Sequence, residues 1–273
     1  MPELPEVETT RLGISPHVIG AEISEVLIRR YDLRWPISDT IPDLAGSTFT
    51  AVRRRSKYLI LETSCGSALL IHLGMSGSLR VISPAEDWKK HDHFAITLSN
   101  DLQLRYHDPR RFGLILQVPL SELQTHKLLK DLGPEPLEEG FTGVHLHAAL
   151  RKKTVALKVA VMDAKVVVGV GNIYASESLF RAGIHPELPA NKLTKPKAER
   201  LVKAIKEVLT ESITQGGTTL RDFLNSDGEP GYFRQRLFVY GRNGEPCRMC
   251  GMEISHSVLG QRATFWCKGC QRR

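Results

Sequence analysis

The hydrophobic pattern of the chain changes period once, and that change governs what the chain can fold into. From Ala21 to about Pro119 apolar residues alternate with polar ones, in EISEVLIRR, the Thr48–Thr63 segment, ALLIHLG, GSLRVIS, HFAITLS, LQLRYHD and FGLILQV. Successive side chains of a strand point to opposite faces, so a period of two marks half-buried strands, here bounded by Gly, Pro, Asn and Asp. Asn100-Asp101 predicts a tight hairpin turn between two of them. Seven strands this closely spaced predict a sandwich or flattened barrel, with an N-terminal helix packed so that Pro2 opens onto one end. GPEPLEEG, Gly133–Gly140, marks a linker. Beyond it the period becomes 3.6, and Val144–Met162, Ile173–Ala182 and Thr194–Thr214 read as helices, the last clearly amphipathic through KAERLVKAIKEVL. Gly183 ends the second of these and Pro186 forbids its restart. The fold class is α+β.

Two CxxC pairs close the chain: Cys247 and Cys250, then Cys267 and Cys270. Four thiols at this spacing fit a tetrahedral zinc site with four cysteine ligands. No histidine occupies a spare ligand position, and a closed four-thiolate shell leaves no open coordination position, so the Zn²⁺ is structural. FVYGRNGEP and QRATFWC read as hairpin strands around it, with Arg262 at a turn. The fifth cysteine, Cys65, lies in a Ser-Cys-Gly turn and reads as an incidental thiol. The formal net charge is +7 with pI ≈ 9.2. Counting a zinc with four thiolates lowers it to about +5, still basic and suited to an anionic partner such as nucleic acid. The 273 residues suffice for one large or two modest domains. There is no apolar run of about 18 residues or more and no signal-peptide pattern, so a cytoplasmic protein without a membrane partner is the default expectation.

The amino terminus reads PELPEVE. Removal of Met1 is expected to leave Pro2 with a free secondary amine, partly neutral at pH 7 because α-amino groups titrate near about 8. Attack of such an amine on a sugar aldehyde carbon gives an iminium, an electron sink built into the chain. Glu3 adjoins it, and Glu6, three residues further on, would share a helix face with Glu3. The plainer alternative is a helix start whose acidic residues complement its dipole. Lys57, in RRRSKYL, could contact a phosphate or sugar, or sit on a solvated basic edge strand. Gly74-Met75-Ser76-Gly77 sets a flexible thioether between glycines that admit close backbone approach. In DPRRFG, Arg110 can reach a base edge with its planar fork and Phe112 can stack. An apolar wedge, an arginine and an aromatic are what opening a base step requires. In VGVGNIYASE, Asn172 caps a helix whose exposed amides make a phosphate site. Lys153 and Lys158 come from the preceding helix and read as phosphate contacts or as a solvated face. Gln215–Tyr232 is long and rich in Gly, Asp and Asn, the signature of a functional or mobile loop.

PELPEVE, Lys57 in RRRSKYL, HLGMSG, KHDH, DPRRFG, VGVGNIYASE and the four-cysteine finger together resemble the bacterial formamidopyrimidine-DNA glycosylases, from Pro2 to Cys270. The resemblance implies an N-terminal β-sandwich with an N-terminal helix, a helix–two-turns–helix domain and a zinc-finger hairpin. The expected boundaries are 1–132, a linker at 133–140, 141–236 including a loop that covers the everted base, and 237–273. It implies a base-excision-repair enzyme that removes oxidised purines, 8-oxoguanine and formamidopyrimidines, from double-stranded DNA and cleaves abasic sites by β,δ-elimination. Pro2 would be the nucleophile, Glu3 the proton-transferring acid, Glu6 an orienting group, and Lys57 and Arg262 phosphate clamps at the reacting centre. Met75, Arg110 and Phe112 would fill the void, with Arg110 on the orphaned cytosine, and His91, Lys153, Lys158 and Asn172 would contact DNA. A monomer, nucleoid-associated when bound to DNA, is expected. Two alternatives remain: the sister endonuclease VIII-type enzymes for oxidised pyrimidines, disfavoured by PELPE and the Met75/Arg110/Phe112 set, and a non-catalytic zinc-ribbon nucleic-acid-binding protein, which gives no reason for a proline-first terminus.

Overall fold

The computed structural model describes residues 2–218 and 236–273, which form two compact units. The first holds the described parts of Met1–Lys130 and Gln215–Arg234; the second holds Asp131–Thr214 and the described part of Gln235–Arg273. Most of the loop expected over 215–232 lies outside the described residues.

The first unit opens with helix α1, Leu4–Val18, then folds into two antiparallel four-stranded sheets. One sheet has the order β1 (Ile23–Ile28), β6 (Asp92–Leu98), β7 (Gln103–His107), β5 (Ser78–Ile82). The other has β2 (Phe49–Arg55), β3 (Tyr58–Thr63), β4 (Ser67–His72), β8 (Leu114–Pro119). Alternation puts Phe49, Leu59, Leu61, Leu69 and Ile71 of one sheet into the same buried cluster as Phe94, Ile96, Leu104 and Tyr106 of the other. Val7, Ile14 and Val18 of α1 join that cluster at the spacing of one helical face. This is the expected sandwich, with eight strands rather than seven among the described residues. The Thr48–Thr63 segment is a hairpin, because Ser56 adopts a left-handed φ of 55° and reverses the chain before Lys57. Asp101 does the same at φ 60° between β6 and β7, at the expected turn. The chain passes from one sheet to the other through Leu73–Gly77 and again through Asp108–Gly113. Both crossovers carry residues singled out above.

The second unit holds α2 (Gly143–Leu150), α3 (Leu157–Val161), α4 (Asn172–Arg181), α5 (Lys195–Thr214) and the hairpin β9 (Ile254–Leu259), β10 (Arg262–Cys267). The single helix expected over Val144–Met162 is two. Between α2 and α3 the carbonyls of Lys153 and Val155 accept the N–H groups of Asn191 and Ala190 (2.8 and 2.9 Å), so long-range backbone bonds replace the helical ones. Lys153 therefore lies in a loop, and only Lys158 is helical. FVYGRNGEP is a series of turns, not a strand, and the strand opposite QRATFWC is β9. The reason is one side chain: Glu177 of α4, fully buried, accepts the N–H groups of Phe238, Val239 and Tyr240 at 2.8–3.0 Å. Gly183 closes α4 with φ 67°, as its sequence implied, and Ile184 returns its N–H to Leu179. Leu201, Ile205, Val208 and Leu209 bury one face of α5. Among the described residues no helix is long and apolar enough to cross a membrane.

Candidate catalytic terminus, nucleic-acid contacts and metal centre

The buried start of α1 is organised by its own acids. Glu3 is the N-cap, so it precedes the helix, and the shared helix face expected for Glu3 and Glu6 becomes a capping contact. Glu6 Oε2 accepts the Glu3 N–H at 2.8 Å, and Oε1 accepts the N–H of Thr218, also at 2.8 Å. Both carboxylates are only 2% exposed. Pro2 is therefore carried on a residue fixed at both its backbone and its helix. Gly217, at φ 85°, packs on Glu6, where a Cβ would meet Oε1 at 3.3 Å.

Lys57 sits in the β2–β3 turn, and that turn is tied to the same helix. Arg54 donates to the Ser56 carbonyl and to Glu8, both at 2.9 Å, while Glu8 also takes Arg11 at 2.6 Å. Burial pushes the Glu8 carboxyl up, but the two guanidinium groups outweigh it and hold the group below its ordinary value. Nothing in the sequence pattern marked Glu8 or Arg54 as the link between α1 and Lys57. On β4, burial, Lys57 and Arg34 depress His72 to about 4, so it is neutral, and its Nδ1 accepts the Gly74 N–H at 2.9 Å.

Met75 and the Arg110–Phe112 segment are brought together. Gly74 and Gly113 are in backbone contact: a Cβ on Gly74 would lie 2.4 Å from the Gly113 nitrogen. The Arg110 guanidinium covers the Phe112 ring at 5.0 Å, and Phe112 is 45% exposed. His91 joins this group, since its carbonyl accepts the Asp108 N–H at 3.0 Å and its ring lies edge-on to His93 and His107. Beneath them lies Asp108, fully buried, which sequence reasoning passed over because an aspartate before proline reads as an ordinary turn residue.

In the second unit Gly171, not Asn172, is the N-cap, and Asn172 is the first helical residue. Its side chain accepts the Lys158 ammonium at 2.5 Å. Lys158 is 0% exposed and also donates to Thr264 Oγ1 (2.8 Å) and the Ala263 carbonyl (2.9 Å). An ammonium buried on three acceptors is a strut within the unit, joining α4 to β10. Lys153 pairs with Asp163 at 2.9 Å on a cleft of about 420 Å³ that Arg262 also lines. Arg262, exposed, follows the turn at Gln261 (φ 61°) as the first residue of β10.

The four cysteines converge, their sulfurs all within 4.8 Å of one another. Cys247–Cys270 and Cys250–Cys267 separations are 3.9 and 3.3 Å. A tetrahedron with Zn–S of about 2.3 Å has edges of about 3.8 Å, so the site fits Zn²⁺. Burial raises the Cys247 thiol, yet the N–H groups of Met249 and Cys250 bring it down to about 7, while burial and the neighbouring sulfurs push Cys270 up. Sulfurs this close cannot all ionise unaided, which is the charge problem a divalent cation solves. The finger's own apolar cluster is small, with Val239, Ile254, Cys247 and Cys267 packed on Phe180 of α4.

Three family models match the chain: the formamidopyrimidine-DNA glycosylase N-terminal domain over residues 1–115, the formamidopyrimidine-DNA glycosylase H2TH domain over 132–224, and a zinc finger found in FPG and IleRS over 244–273. The formamidopyrimidine-DNA glycosylase of Xanthomonas campestris pv. campestris is 54% identical over 273 residues, all of both chains. A Lactococcus lactis FPG mutant solved in complex with a Fapy-dG containing DNA superposes with a TM-score of 0.92 at 34% identity, covering 100% of each chain. A MutM solved in complex with carbocyclic 8-oxo-G containing DNA superposes at 0.90, again with 34% identity and full coverage of both chains. By sequence over its whole length and by fold, the chain belongs to the formamidopyrimidine-DNA glycosylase family.

Proposed function

We propose that the protein excises oxidised purines from duplex DNA and then cleaves the resulting abasic site through an iminium on Pro2. The observation that carries this reading is the buried start of the chain, where Pro2 adjoins Glu3 and Glu6 fixes the Glu3 backbone; removal of Met1 would make the Pro2 nitrogen a secondary amine there. The Pro2 nitrogen adds to C1′ as the glycosidic bond breaks, and Glu3 supplies the proton the departing base needs. Opening of the sugar ring leaves C1′ doubly bonded to the cationic nitrogen. That sink acidifies C2′; loss of its proton expels the 3′ phosphate, and a further deprotonation expels the 5′ phosphate. Glu6, with both oxygens engaged by backbone N–H groups, orients rather than transfers protons.

Lys57 and Arg262 grip the phosphates near the reacting nucleotide; Lys153 and the amide end of α4 at Asn172 bind backbone phosphate. Met75, Arg110 and Phe112 enter the stack and His91 contacts the strand. Lys158 serves this surface through Asn172. The Zn²⁺ held by Cys247, Cys250, Cys267 and Cys270 supplies fold stability to the finger and takes no part in the chemistry. Function divides along 1–132, 141–236 and 237–273, and the protein works as a monomer, associated with the nucleoid through its DNA substrate.

Borohydride trapping tests the reading, on a duplex with 8-oxoguanine opposite cytosine and a parallel duplex with dihydrouracil. A covalent adduct at Pro2, strongest on the purine lesion, is the expected result. An adduct mainly on dihydrouracil would transfer the protein to the pyrimidine-specific sister enzymes, and tight binding with no adduct would defeat the lyase.

A further inference from the structure

The three residues proposed to fill the void left by an everted base come from two separate crossovers between the sheets, Met75 from one and Arg110 and Phe112 from the other. Loops of this kind drift independently unless something fixes them to each other. Asp108 does so. Its Oδ1 accepts the hydroxyl of Ser76, the neighbour of Met75, at 2.8 Å and the backbone N–H of Arg110 at 3.2 Å. Its Oδ2 accepts the N–H of Gly113 at 2.9 Å and the Tyr106 hydroxyl at 3.2 Å. The Ser76 hydroxyl in turn accepts the Arg110 N–H at 3.3 Å. Asp108 is 0% and Ser76 3% exposed, so these bonds form away from water, where charge-assisted hydrogen bonds are strong and directional. The main chain adds a third attachment, because the Asp108 carbonyl accepts from His93 Nε2 at 2.9 Å.

We infer that Asp108, acting with Ser76, is a positioning residue that makes Met75, Arg110 and Phe112 a single rigid insert, and that selectivity for the base opposite the lesion depends on this buried carboxylate. This rests on the proposed role of Arg110. A guanidinium distinguishes bases only if its fork meets the base edge in the correct plane, and such contacts discriminate by about tenfold or more. Loss of the tie leaves the arginine present but unaimed. Selectivity then falls more than excision does, whereas a general loss of stability lowers excision opposite every base alike.

The test compares kcat/KM of the full-length enzyme on 8-oxoguanine opposite cytosine and opposite adenine, for the parent protein, Ser76→Ala, Asp108→Asn and Arg110→Ala. Asn is nearly isosteric but offers one acceptor oxygen where Asp108 uses two. Ser76→Ala removes only the hydroxyl that joins the loops, with its bonds to Asp108 and to the Arg110 N–H, so it decides the matter if Asp108→Asn does not fold. The expected result is a fall of about tenfold in the cytosine-to-adenine ratio in both positioning variants, towards the ratio of Arg110→Ala. If Arg110→Ala collapses the ratio while Ser76→Ala and Asp108→Asn lower both substrates equally, the positioning inference is wrong. An unchanged ratio in Arg110→Ala would instead overturn the role of Arg110 on which it rests.

Discussion

Replacing Glu6 by Gln isolates what the buried carboxylate does for the terminus. Both Glu6 oxygens accept backbone N–H groups at 2.8 Å, from Glu3 and from Thr218. Hydrogen bonds to a buried charged group contribute about 1.5–3 kcal/mol each, and a neutral one about 1 kcal/mol. Gln keeps the shape but has one oxygen, so one N–H retains a weaker partner and the other faces an NH2 group, donor against donor. The balance is a loss of about 3 kcal/mol, or roughly 6–12 °C in melting temperature for a unit of this size. The catalytic effect follows from position, since Glu6 holds the residue that carries Pro2. A misplacement on the order of 1 Å costs about 100-fold in rate. Single-turnover nicking of a preformed abasic site across a pH series, with melting on the same preparations, measures both. The expected outcome is a slower rate at every pH with the profile keeping its shape. Wild-type melting and rate would refute the energetic argument, and disappearance of one limb of the profile would show that Glu6 transfers a proton.

Stripping the metal, by chelation or by Cys267→Ser, removes a contribution of about 10–16 kcal/mol to folding of the finger; one zinc per chain by atomic absorption and loss of duplex binding on its removal are expected. The neutral His72, depressed to about 4, makes stability sensitive to acid. Its folded value lies below the unfolded 6.5, so the unfolded chain takes up the proton first and stability falls as pH drops from about 6.5 to 4, by up to about 3 kcal/mol. Urea midpoints across that range should fall less in His72→Asn, whose amide oxygen can still accept the Gly74 N–H. Lys158→Met leaves three buried neutral acceptors without their ammonium; an unsatisfied buried acceptor costs about 1–3 kcal/mol, so a loss of at least that size is expected in thermal unfolding of the helical unit.

The sandwich and the zinc site were legible because each follows from local rules: a period of two, a left-handed turn at Asp101, cysteines paired with two residues between them. The break between α2 and α3 was not, since its carbonyls bond to Ala190 and Asn191, more than thirty residues on. The same limit hid Lys158, whose acceptors lie on α4 and β10, and Glu177, which turns an apparent strand into a set of turns. The candidate residues at the surface were readable from their type and flanking glycines. Their supports were not: Asp108 and Glu8 are acidic residues in ordinary settings until the fold brings donors to them. Sequence displayed the groups proposed to touch a substrate better than the groups that hold them in place.

The two crossovers between the sheets bear on how such an enzyme can change over generations. Eight strands and their shared core set the frame, and neither Leu73–Gly77 nor Asp108–Gly113 supplies a strand to it. Exposed residues of these loops, such as Phe112, can be exchanged without disturbing the strand ladders, whereas Gly74 and Gly113 cannot; with Arg110 in its proposed role, preference for a lesion's partner is free to drift while the frame persists. The tie through Ser76 and Asp108 restricts that freedom in one respect. A substitution in one loop is judged by its fit to the other, so the heritable unit is the pair, and the two segments should be transplanted together when selectivity is moved between relatives.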